Sequence, residues 1–217
     1  MGRSPYHGAK WPDADNDLKR LRDQIKDLQS EIRDLPKPEE KKKKKYQTTL
    51  LFNLFAGPGA GKSSIAFDLM GKLKWNGVDC EFASEYAKDL VWEKRHKTFE
   101  DQIYIFGKQF HRVSRLIGEV EVIVTDSPIL LTIVYGEKWP ALCQLAQDEH
   151  VKLNNVNIFV NRKKTYNPNG RNHTLKESIV IDKKIKNLLE LNRYEYSEVD
   201  GDPAGACNAF EVVKRML

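Results

Sequence analysis

The segment Ala56-Gly57-Pro58-Gly59-Ala60-Gly61-Lys62-Ser63-Ser64 constrains the fold of this chain more than any other. Residues 48–55 before it form a near-continuous apolar run, as a strand buried on both faces would. The residues after it read as a helix over 62–75, closed by Asn76-Gly77. A strand, a glycine-rich turn and a helix in that order form the setting in which such a loop wraps a phosphate. Its backbone N–H groups turn inward as an anion nest, and the helix N-terminus adds partial positive charge. Lys62 would reach the β- and γ-phosphates, and the Ser63 hydroxyl would hold Mg²⁺. The usual pattern opens on glycine where this chain has Ala56, a residue small enough to permit the turn. Residues Gly57 to Ser64 are therefore read as a nucleotide phosphate site.

Beyond residue 46 the chain alternates between strand-like and helix-like segments. Strands are expected over 78–83, 120–125, 156–160 and 194–199. Helices are expected over 84–96, 99–117, 129–135, 140–152, 175–191 and 204–217. Such alternation predicts an α/β fold with a parallel sheet covered by helices on both faces. In sheets of this kind, functional groups gather at the carboxyl ends of the strands. The second strand delivers Glu85 there and the third delivers Asp126. Asp126, a hard oxygen donor, could bind Mg²⁺ directly or through water; it could equally cap the Ser127-Pro128 turn. Glu85 could face a phosphate acceptor or simply supply first-turn helix charge. After the fourth strand, residues 161–173 form a cationic loop rich in turn formers, with Arg162 and Arg171 near its ends. Arginines on such a loop can close over phosphates and neutralise charge that develops during transfer.

The charge distribution divides the chain. Residues 1–45 carry 13 basic and 9 acidic side chains, whereas the other 172 residues carry 23 and 22. The globular part thus lacks the overall basic balance of a nucleic-acid-binding domain. Leu18, Leu21, Ile25, Leu28, Ile32 and Leu35 recur at alternating spacings of three and four. Isoleucine recurs at a and leucine at d, a pattern that favours a parallel two-stranded coiled coil and hence a homodimer through residues 18–35. The same amphipathic stripe would also suit a helix lying on its own domain. A proline- and charge-rich linker, PKPEEKKKKK, follows; its lysines would be solvated or bind a polyanion. The expected domains are an N-terminal segment, 1–45, and a catalytic domain, 46–217. Three scattered cysteines, no apolar signal core and no run long enough to span a bilayer lead to the expectation of a cytoplasmic protein with no membrane association.

Taken in order, AGPGAGKSS, ASEYAKD, VIVTDSP, FVNRKKTYNPNGR and IDKKIKNLL resemble the P-loop kinases of the nucleoside and nucleotide kinase superfamily. They look most like phage-encoded ATPase/kinase proteins related to the nicotinamide riboside kinase domain. The resemblance covers residue 50 to the C-terminus. It implies a five-stranded parallel core and Mg·ATP as donor. By that resemblance Glu85 takes the acceptor hydroxyl's proton, Asp126 is the metal-associated carboxylate, and Arg162 and Arg171 are lid arginines. Asp-Ser-Pro at 126–128 departs from the arginine-containing triplet of deoxynucleoside kinases. The implied activity is ATP- and Mg²⁺-dependent transfer of a phosphate to a hydroxyl of a nucleoside- or nucleotide-like acceptor. Two alternatives are a kinase acting on a nucleic-acid 5′ end or hydroxymethylated base, and a nucleotide-gated ATPase that controls assembly.

Overall fold

A computed structural model describes residues 14–34 and 48–217, and the chain divides into two units, Met1–Lys43 and Lys44–Leu217. The first contains helix α1 (Ala14–Asp34). Its Leu18, Leu21, Ile25 and Leu28 are each 52–56% exposed. The expected linker and its lysine run, Lys41–Lys45, lie outside the described residues, as does the last heptad position, Leu35.

The second unit is built on five strands, β1 (Leu50–Phe55), β2 (Cys80–Ala83), β3 (Val122–Thr125), β4 (Asn154–Asn161) and β5 (Ser197–Asp200). They form one sheet in the order β2-β3-β1-β4-β5, with every pairing parallel. The helices between and after them are α2 (Lys62–Trp75), α3 (Tyr86–Trp92), α4 (Gln102–Ser114), α5 (Leu131–Tyr135), α6 (Pro140–His150), α7 (Leu175–Leu191) and α8 (Pro203–Met216). This is the α/β architecture with a five-stranded parallel core. Because β1 pairs with β3 on one side and β4 on the other, the chain reverses direction across the sheet at β1. Ligands in open α/β sheets bind at such a switch point, outside the strands' carboxyl ends.

All six residues of β1 are buried, and their alternation divides them between two cores. Leu50, Phe52 and Leu54 pack with Leu69 and Leu73 of α2 and with Ala209 and Val213 of α8. On the other face Leu51 meets Ile123 and Val113, while Phe55 meets Ile185 and Leu189 of α7. Each such large side chain, fully buried, contributes about 1.5–3 kcal/mol. Asn53 interrupts this apolar strand and is itself fully buried. Its amide donates to Asn155 Oδ1 at 2.9 Å and Asn157 Oδ1 at 3.1 Å, a polar rung that fixes the β1–β4 register.

The expected helix over 84–96 is shorter than its apolar content suggested, because the chain turns at Lys94, where φ is +57°. Lys94 N–H bonds Val91 O, and Arg95 N–H bonds Leu90 O, which closes α3 in a Schellman motif. A 3₁₀ turn, His96–Glu100, follows, and α4 begins where Asp101 accepts the Tyr104 N–H at 3.0 Å. Helix α7 occupies the expected residues, with a capping box between Thr174 and Glu177 at its start. Among the described residues no helix is long and apolar enough to cross a membrane. Asn53→Ala would leave the buried Asn157 Oδ1 and the half-buried Asn155 Oδ1 without this donor. It should lower unfolding stability by about 1–3 kcal/mol, measured from the urea midpoint at unchanged m-value.

Candidate nucleotide and acceptor site

The glycine-rich loop leaves β1 at Phe55 and enters α2 at Lys62. Gly61 adopts φ +115°, a conformation open to glycine and strained for any other residue. Gly57 is required for a different reason. A Cβ there would stand 2.5 Å from the Ser178 carbonyl oxygen and 2.9 Å from Asp182 Oδ1. The loop is therefore packed tightly on α7. Its first residues are buried, while Pro58, Gly59 and the residues from Gly61 to Ser64 line an open cleft of about 370 Å³. Gly57 and Ala60 do not line it.

The Lys62 ammonium folds back over the loop and donates to Ala56 O at 2.7 Å and Gly57 O at 3.1 Å. Burial lowers its pKa, opposed by the carboxylates of Glu85, Asp126 and Asp182. Ser63 Oγ donates to Asp126 Oδ2 at 2.5 Å, and the other oxygen of Asp126 accepts the Glu85 backbone N–H at 3.1 Å. Asp126 is 3% exposed. The turn after it is held by its neighbour instead, since Thr125 Oγ1 accepts the Ser127 N–H at 3.1 Å. Ser63 and Asp126 are adjacent hard oxygen donors where the glycine-rich loop enters α2. That set suits Mg²⁺, which typically takes one or two carboxylates and completes its shell with phosphate oxygens and water. Among the described residues no group of three or more His, Cys, Asp or Glu could form an all-protein metal cage.

Glu85 sits at the N-cap of α3 but makes no side-chain cap hydrogen bond. Burial raises its carboxyl pKa above the ordinary range, opposed first by Lys62. Helix α4 pins this junction. Gln109 Oε1 accepts the Tyr86 N–H at 2.9 Å, and Arg112 donates to Ser84 O at 3.2 Å and Oγ at 2.7 Å while pairing with Asp89. Gln109 is 6% exposed and lines the cleft, and its Nε2 has no partner among the described residues. Trp92, Phe99, Phe106, Leu131 and Tyr135 form the apolar wall beyond Glu85.

Lys62, Ser63, Glu85, Asp126 and Arg171, with Pro58, Gly59, Gly61 and Ser64 of the glycine-rich loop, thus line one cleft. Arg171 reaches it from the loop after β4, where its guanidinium bonds the Asn167 carbonyl and lies 5.5 Å from the Tyr166 ring centre. That loop crosses the site. The Tyr166 ring rests against Gly59, Gly170 abuts Trp92, and Lys164 Nζ donates to Ser64 Oγ at 3.0 Å. Arg162 is placed otherwise than a phosphate-facing lid residue would be. It lies behind the glycine-rich loop, bonding Asp182 and the Pro58 carbonyl, and does not line the cleft. Sequence reading missed two participants, Gln109 and Asp182. Each is a single polar residue on an amphipathic helix, and neither belongs to a spaced motif. Asp182 stands in the quoted IDKKIKNLL, yet only the fold brings it to Gly57.

Residues 51–204 match a known protein family described as an AAA domain, AAA_28. No curated protein matches the sequence. Among solved structures, the chain is similar to deoxyadenosine kinase from M. mycoides with bound dATP. The two are 16% identical over 76% of this chain and 97% of that one, with a TM-score of 0.48. It is also similar to the APS kinase of Mycobacterium tuberculosis in complex with AMPPNP and APS, at 13% identity over 78% of this chain and 97% of that one, with a TM-score of 0.43. Because the family match takes in the sheet, the glycine-rich loop and the cleft around it, the chain belongs to the AAA_28 family of AAA domains.

Proposed function

We propose that the protein is an ATP- and Mg²⁺-dependent phosphotransferase acting on a hydroxyl of a nucleoside- or nucleotide-like acceptor. One observation carries this reading. Asp126 joins the phosphate loop, through Ser63, to the backbone of Glu85, so a carboxylate of raised pKa is fixed beside the phosphate site. A nucleotide switch would need the loop but not a basic carboxylate facing an apolar, aromatic wall. In this reading the loop N–H groups and Lys62 hold the β- and γ-phosphates. Ser63 and Asp126 would hold Mg²⁺, which supplies charge neutralisation on those phosphates. Glu85 accepts the acceptor's proton as its oxygen attacks the γ-phosphorus and the bond to the β–γ bridging oxygen breaks. Arg171 neutralises charge on the transferred group. The aromatic wall suits a planar heterocycle. The nucleic-acid alternative drew on Lys41–Lys45, which lie outside the described residues. A cytoplasmic location accompanies the reading.

Glu85→Gln should lower transfer about 10²- to 10⁴-fold, while ATP affinity measured by calorimetry stays nearly unchanged. Lys62→Ala should abolish turnover. The rate should fall as pH drops through the raised pKa of Glu85, because the base must be ionised, so the acid limb lies above the range of an ordinary carboxylate. Loss of that limb in Glu85→Gln would assign it; its persistence would remove Glu85 from the role of base.

A second reading concerns assembly and is favoured by the half-exposed Leu18, Leu21, Ile25 and Leu28 of α1. We propose that this stripe pairs two copies in a parallel coiled coil. Sedimentation should give a dimer mass that Leu21→Asp reduces to a monomer. A mass independent of concentration and of that substitution would refute the pairing.

A further inference from the structure

The loop after β4 leaves the sheet at Arg162 and ends at Thr174, where the capping box opens α7. On the buried side of α7, Ser178 and Asp182 are one helical turn apart and both face the phosphate loop. The Asp182 carboxylate is divided between two partners. Oδ1 accepts the Gly57 N–H at 2.6 Å. Oδ2 accepts Arg162 Nε at 3.2 Å and Nη2 at 3.0 Å. The remaining guanidinium edge closes the ring, with Nη1 donating to Pro58 O at 2.9 Å. The two side chains are only 14% and 17% exposed. A charged pair sheltered to this degree is costly to break from one side. It is also felt by Lys62, whose ammonium interacts with both charges.

We propose that Asp182 is a positioning residue that, through Arg162, ties the phosphate loop to the base of the loop over residues 162–174, so that nucleotide binding and ordering of that loop are one coupled event. The proposal rests on the phosphate-site part of the function above and is independent of the acceptor. Asp182 touches no reacting atom in this account. It fixes the backbone at Gly57 and Pro58 from which the anion nest begins, and it holds the arginine at the first residue of the overlying loop. The two ends of that loop, Arg162 and the start of α7, are thereby referred to the same two peptide groups.

The test uses the full-length protein and MgATP alone. Tryptic cleavage at Lys163, Lys164 and Arg171 is followed with and without saturating MgATP, beside MgATP affinity by calorimetry. Nucleotide should slow cleavage at these three sites in the wild type. In Asp182→Asn, which keeps the shape and loses the charge, the protection should largely vanish and affinity should fall about tenfold, within the range of couplings between linked sites. Arg162→Ala should weaken affinity similarly, and the double variant should be no worse than either single one, as for residues that act as a unit. Arg162→Lys, which keeps charge without the two-pronged geometry, makes the same comparison if Asp182→Asn does not fold. Full protection in Asp182→Asn, or effects that multiply in the double variant, would overturn the coupling. A wild type that binds MgATP without protecting the loop would overturn it too. A wild type that binds no nucleotide would instead overturn the phosphate-site reading beneath it.

Discussion

The Asp126 carboxylate is the constraint on which the arrangement of the cleft depends. It is buried at the end of β3, the strand between β1 and β2, and it carries one hydrogen bond toward each neighbour. A carboxylate out of water must have its oxygens satisfied, and here the two donors belong to opposite halves of the cleft: the Ser63 hydroxyl from the phosphate loop and the Glu85 N–H from the opposite side. One acidic residue therefore sets the separation between the glycine-rich loop and the Glu85 side of the cleft. The sheet register supports this. Ala83 stands opposite Thr125, so β2 and β3 end level, while Asn53 stands opposite Thr125 on the other side and β1 runs two residues further, to Phe55.

Around that point the charges of Lys62 and Glu85 offset one another. Lys62 is drawn down by burial and held up by three carboxylates, while Glu85 is pushed up by burial and held down by Lys62. Opposite desolvation of a buried base and a buried acid within one site is a pattern that functional clefts share with structural ion pairs. The distinction lies in the surroundings. The Arg162–Asp182 pair is closed, with its hydrogen bonds directed to the loop backbone. Lys62 and Glu85, by contrast, both face an open cleft.

Much of the fold was legible in the residues because local signals agreed with the tertiary outcome. The run over 50–55 has to be a doubly buried strand, and the structure buries all six of its residues. Asn76-Gly77 ends α2 with Gly77 at φ +77°, as a glycine after a helix should. The end of α3 was illegible for the same physical reason reversed, because Lys94 adopts the left-handed conformation without being glycine. At the site, the place of the glycine-rich loop between β1 and α2 was readable because its residues are contiguous. The Arg162–Asp182–Gly57 ring was not, since its members lie on three separate elements and no spacing rule links them. A basic residue in a basic loop reads as a lid arginine until the fold places an acid beside it.

Whether this cleft moves a phosphate between two substrates, and does more than bind a nucleotide, is decided by where the γ-phosphate goes. Incubating the protein with γ-labelled ATP, Mg²⁺ and a panel of nucleosides, nucleoside monophosphates, nicotinamide riboside and plain or hydroxymethyl-base DNA tests it most directly. The expected result is label in a nucleoside- or nucleotide-like acceptor. Label appearing only in inorganic phosphate across the whole panel would contradict it and favour a nucleotide-gated assembly protein.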